Sequence, residues 1–208
     1  MNKKRFCNPM KGIINVAKKE EVVMLEDKIN YYVPSDDIQH NLLLDTCAIN
    51  EIVKSTDVIC AIKELKNKGF IYYISDVQMR ELSGIIDRKE MKMTVDETIK
   101  ESNKSILSFL KDIDCKRVSC VALLLEEFWV LDGSFRLIDE NSSTYTMFKE
   151  IHNNNIHHIK DAVIAEAAIY NNCTLITKDR RLNKKVNQYF SGRSILCKNF
   201  INEILSSN

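Results

Sequence analysis

Two short apolar runs that each end beside an aspartate constrain this chain more than any other feature. Asn41-Leu42-Leu43-Leu44-Asp45 and Cys173-Thr174-Leu175-Ile176-Thr177-Lys178-Asp179 have no polar residue alternating within the run. A strand with one face in water alternates apolar and polar residues, whereas a parallel strand covered on both faces is continuously apolar. Both runs are therefore expected as inner strands of a parallel sheet, and such a sheet needs helices to cover it.

The rest of the chain supplies them. From Ala48 to about Leu65 apolar residues recur at three and four, with a slip near Ser55-Thr56, which predicts one or two helices. Gly69 closes that stretch, and Phe70-Ile71-Tyr72-Tyr73-Ile74 is a β-branched and aromatic strand. Ser75-Asp76-Val77-Gln78 has the form of a capping box, so a helix starts there and Glu81 lies about two turns into it. Residues 94–131 read as two helices, the second presenting Val118, Val121, Ala122, Leu124, Leu125, Phe128 and Trp129, with a strand over Ser134–Ile138. After a polar link, residues 159–170 form an Ala-rich helix that Asn171-Asn172 ends, and Ser194–Cys197 is the last strand before a short terminal helix. Residues 1–40 read as an extension of hairpin character packed on a main domain at 41–208. Strands alternating with helices define an α/β sandwich around a largely parallel sheet.

Composition excludes several classes. Only five Gly and two Pro occur among 208 residues, and 45% of the chain is apolar, unlike collagenous, disordered or low-complexity chains. No apolar run reaches the roughly 18 residues of a membrane span, so a cytoplasmic protein without membrane contact is expected. Seven cysteines form no C-x-x-C pair and are expected as reduced, mostly buried thiols. Net charge is +1, yet residues 1–20 carry six Lys or Arg against one Glu, and residues 178–198 carry seven against one Asp. The remainder is acidic, a distribution able to hold a cation in one place and phosphate beside it. His152, His157 and His158 are read as loop or capping residues, and the Tyr72-Tyr73 pair and Trp129 as buried rather than base-stacking.

Open α/β sheets place their sites at the carboxyl ends of strands. Asp45 and Asp179 follow strands, Asp161 opens a helix, and Glu81 sits in the helix after a strand, so all four acids are expected along one edge. Clustered carboxylates repel unless a cation neutralises them, and oxygen-only ligands favour Mg²⁺ or Mn²⁺. Such an ion serves phosphodiester hydrolysis.

These segments resemble a known family. Leu42–Thr46, Ser75–Leu82, Asp161–Ala168 and Leu175–Asp179 are similar, in order and context, to the four motifs of PIN-domain nucleases, which include the VapC-type toxins. The resemblance implies a three-layer α/β/α sandwich, a divalent-metal site and RNA as substrate. Residue by residue, it implies metal binding by Asp45, Glu81, Asp161 and Asp179, and orienting hydroxyls at Thr46 and Thr177. Lys178, Arg180, Arg181, Lys184 and Lys185 are then expected to hold RNA phosphates. The resemblance also implies an antitoxin protein and a homodimer as partners. The sequence departs from the toxins at Cys47, where many carry a small polar residue, and in the long interval from Glu81 to Asp161. Two other classes are weighed: a catalytically silent RNA- or protein-binding module, and a haloacid-dehalogenase-like phosphohydrolase, whose second Asp would fall at Cys47.

Overall fold

The computed structural model describes residues 36, 38–82, 101–118, 120, 123–124, 129–130, 141–153 and 158–206. The expected extension at 1–40 and the expected strand at 134–138 lie almost wholly outside them.

The main sheet has five strands: β1 (Asn41–Leu44), β2 (Ile71–Ser75), β3 (Lys116–Val118), β6 (Thr174–Thr177) and β7 (Ser194–Leu196). They run in the order β3-β2-β1-β6-β7, and every pairing is parallel. A separate antiparallel pair joins β4 (Leu123–Leu124) and β5 (Trp129–Val130). Eight helices are described: α1 (Thr46–Ile52), α2 (Thr56–Asn67), α3 (Asp76–Leu82), α4 (Glu101–Asp112), α5 (Ser143–His152), α6 (Ile159–Tyr170), α7 (Arg180–Tyr189) and α8 (Cys197–Ser206).

Strand periodicity divides the core into two layers. Leu43 and Leu175 face one cluster with Met147, Ala162, Ala165 and Val186, from α5, α6 and α7. Leu42, Leu44 and Ile176 face the opposite cluster with Ile49, Ile62, Phe109 and Phe200, from α1, α2, α4 and α8. The sheet is thus the middle of three layers, as the apolar runs require. Each fully buried Leu or Ile here contributes about 1.5–3 kcal/mol of transfer free energy. Tyr72 and Tyr73 are buried on opposite faces.

Local signals set the boundaries. The slip at Ser55 is a real break, because the Ser55 side chain accepts from the Val58 amide and starts α2. Gly69 has φ +96°, a conformation that Gly adopts without strain, and it turns the chain from α2 into β2. The capping box at the end of β2 forms differently from expectation. Gln78 Oε1 accepts from both the Ser75 amide and the Ser75 hydroxyl, while Gln78 Nε2 donates to the Leu44 carbonyl. The glutamine therefore ties the start of α3 to the end of β1.

Two expectations fail. The second helix expected within 94–131 is replaced by edge strand β3 and the β4–β5 pair. Asp114, at φ +54°, ends α4 and redirects the chain, and Val118 enters the sheet opposite Ser75. The polar link before residue 159 contains α5, whose N-terminus is capped when Ser142 Oγ accepts from the Tyr145 amide.

Candidate functional site

Strand order reverses between β1 and β6, since β1 leads to β2 on one side while β6 leads to β7 on the other. A crevice forms at such a point beyond the carboxyl ends of the two strands. Asp45 follows β1 there, and Thr177 ends β6 beside it.

These two strand ends are joined through side chains. Thr177 Oγ1 donates to Asp45 Oδ2 at 2.6 Å and accepts from the Asp179 amide at 3.0 Å. The Cys47 thiol donates to the same Asp45 oxygen at 2.9 Å, and the Lys178 amide donates to Cys47 Sγ at 3.3 Å. Asp45 is only 7% exposed. Its Oδ2 thus holds two donors, while its Oδ1 accepts from no described residue, leaving a buried carboxylate oxygen open towards a cation. Asp179 is the N-cap of α7, where Oδ1 accepts from the Arg181 and Leu182 amides.

Asp161 lies in the first turn of α6. Burial, followed by the charges of Asp45 and Asp179, raises its pKa above the ordinary carboxylate value, with His158 pulling the other way. Three acids spread over 135 positions of sequence therefore share one electrostatic environment. The fourth, Glu81, reaches it by two routes: Thr46 Oγ1 donates to Glu81 Oε2 at 3.0 Å, and Lys160 Nζ pairs with Glu81 Oε1 at 3.2 Å.

The raised pKa of Asp161 yields a pH prediction. An acid that ionises later in the native than in the unfolded chain binds more protons when folded, so stability falls as pH rises through the interval between the two values. Without divalent ions, Asp161→Asn should therefore gain melting temperature over wild type as pH rises above the ordinary Asp range, then hold that gain. Paired thermal melts in EDTA across pH measure the difference. A difference that does not change with pH would remove the inferred crowding.

Two side-chain roles here go beyond the sequence expectation. His158 is the N-cap residue of α6, within its expected loop or capping role, but its Nδ1 also lies 3.6 Å from Asp161 Oδ2. The i,i+3 spacing to Asp161 is the signal that could have found it. Cys47 is half-buried beside Asp45 rather than a core thiol, and burial with the Asp45 charge pushes its pKa up to about 12. It remains a protonated donor. The described cysteines are all free, and Cys120, Cys173 and Cys197 are buried, but Cys60 is exposed.

The predicted phosphate-binding residues divide. Lys178 pairs with Glu51, Lys185 with Glu150, and Arg181 donates to the Ile151 carbonyl at 3.5 Å. Arg180 and Lys184, one helical turn apart on α7, are exposed and make no ion pair among the described residues.

As donors for a metal, the acids offer only oxygen, which suits a hard divalent ion, and the open Asp45 Oδ1 is consistent with one. Among the described residues no three His, Cys, Asp or Glu side chains stand close enough to close around an ion as they are. Glu81 has both oxygens engaged, and one oxygen of Asp179 caps α7.

Fold and site together define a doubly wound α/β protein that gathers acids at the carboxyl edge of its sheet. The PIN domain family model matches residues 42–187, more than half of the chain, and the protein belongs to that family. PIN domains are generally nucleases that use divalent metal ions and act on RNA. No curated protein matches the chain. Among the described residues no helix is long and apolar enough to cross a membrane.

Proposed function

We propose that this protein is a divalent-metal-dependent endoribonuclease, with Mg²⁺ or Mn²⁺ held by Asp45, Asp161 and Asp179 and with Glu81 as the outer acid of the set. The observation that supports this reading is the Thr177 hydroxyl, which ties the Asp45 carboxylate to the Asp179 backbone amide, with the charges of both acids felt at Asp161. When bound, the ion supplies Lewis-acid polarisation of a phosphodiester and a water of lowered pKa.

The chain's own groups do the positioning. Thr177 and Cys47 hold Asp45 Oδ2, so that the carboxylate presents Oδ1. Asp179 spends one oxygen on the α7 amides and keeps the other for the site. Arg180 and Lys184 are the exposed cations best placed to take flanking phosphates without first losing an internal partner. The toxin role in a toxin–antitoxin pair is the biological setting suggested by the VapC resemblance, and a small reading frame adjoining this gene would support it.

The test is cleavage of a mixed-sequence RNA by the purified chain. Cutting is expected with Mg²⁺ or Mn²⁺, lost with EDTA and restored by excess Mn²⁺. Undiminished cutting in EDTA would remove the metal from the reading; RNA bound but never cut would favour the silent module.

A further inference from the structure

The site already contains a cation. Lys160 is the second residue of α6, directly before Asp161, and its ammonium reaches across to α3 to pair with Glu81 Oε1 at 3.2 Å. Its side chain is 28% exposed and that of Glu81 23%, so the pair is better shielded than the surface pairs Lys54–Glu51 and Lys63–Asp112. The Thr46 hydroxyl occupies the other Glu81 oxygen. The contrast with Asp45, whose Oδ1 has no described partner, is direct. One acid of the set is open and another is closed by a resident ammonium.

We infer that Lys160 is an internal competitor of the divalent ion for Glu81, setting the ion concentration at which that acid joins the site. The inference rests on the metal-dependent reading of the site given above. It follows from charge and occupancy. The charges of Asp45 and Asp179 already disfavour ionisation of Asp161, and the ammonium of the adjoining Lys160, paired with Glu81, offsets one negative charge in the ion-free protein. A carboxylate oxygen engaged with an ammonium must give up that pairing before it can ligate a metal. Lys160 therefore steadies the ion-free fold and opposes the ion in the same act. His158 stands in a comparable position against Asp161, but at 3.6 Å and within the same helix, so its partner is Asp161 and not Glu81.

The experiment is Mn²⁺ binding to the full chain, stripped of metal, by titration calorimetry or by loss of the free-ion electron paramagnetic resonance signal. Wild type is compared with Lys160→Gln, Lys160→Arg, Glu81→Gln and the Lys160→Gln/Glu81→Gln double variant. Lys160→Gln should bind Mn²⁺ about fivefold more tightly, the scale of a partly exposed ion pair. Lys160→Arg should stay near wild type. In the Glu81→Gln background the gain should shrink to below about twofold, because a double-mutant cycle isolates competition for that one acid. Melting temperatures give an independent reading: Lys160→Gln should melt below wild type in EDTA yet gain more from saturating Mn²⁺.

Equal Mn²⁺ affinity in wild type and Lys160→Gln overturns the inference while leaving the metal site in place. A gain that persists undiminished in the Glu81→Gln background overturns it too, showing a general field rather than competition. Absence of Mn²⁺ binding in every variant, Lys160→Gln included, removes the metal-dependent reading itself.

Discussion

Asp45→Asn should lower RNA cleavage by at least about a thousandfold, on the order of 4 kcal/mol in the barrier, while the protein stays folded. The two halves of this expectation have separate causes. An Asn oxygen can still accept from the Thr177 hydroxyl and the Cys47 thiol, so the linkage between β1 and β6 survives. What disappears is the negative charge and the open Oδ1, to be replaced in part by an amide that donates instead of ligating. Asp161 loses one of the two carboxylate charges that raise its pKa, so the ion-free variant should melt no lower than wild type. Initial cleavage rates in saturating Mn²⁺, with circular dichroism and a thermal melt on the same preparation, decide the matter. A folded Asp45→Asn that cuts RNA at the wild-type rate would end the proposed function.

How much of this could be read from sequence depended on where each element's apolar residues lay. The inner strands were legible because Leu42-Leu43-Leu44 and Leu175-Ile176 are buried on both faces and therefore uninterrupted. The helix α7 was not, since only Leu182 and Val186 are fully buried in a segment otherwise dense in Arg, Lys and Asn. In α5 the burying residues Met147, Phe148 and Ile151 are spaced for one face, but a polar neighbourhood conceals them. Edge strand β3 contributes three residues, too few for a period to register, and the apolar spacing from Val118 to Trp129 suits a helix as well as a hairpin.

The site divides along the same line. Strand-end acids are visible because topology sends the ends of neighbouring parallel strands to one edge. Their partners are not. Cys47 meets Asp45 through the local turn into α1, and Lys160 meets Glu81 only because α6 packs against α3.

Thr177 is where that packing becomes testable with the second-largest effect. Its hydroxyl is fully buried, donates to the Asp45 carboxylate and accepts from the Asp179 amide, so one oxygen atom ties one acid's side chain to the other acid's backbone. Thr177→Val keeps the shape and removes both bonds, which makes it far from conservative. Leaving the buried Asp45 oxygen and the Asp179 amide short of a partner should cost about 1–3 kcal/mol. In a protein of this size each kcal/mol corresponds to roughly 2–4 °C, so a melting temperature lower by about 2–12 °C is expected. Cleavage should fall about 10- to 100-fold, as when an outer-shell partner of a metal ligand is removed. Thr177→Ser retains the hydroxyl and deletes a methyl, and should keep most of the cleavage rate even where its melting temperature drops. That split separates orientation from packing: if Val and Ser variants lose activity only in proportion to their stability, Thr177 is a core residue that happens to border the site. If the Ser variant cleaves RNA while the Val variant, still folded at the assay temperature, does not, the hydroxyl holds Asp45 and Asp179 in register for the reaction.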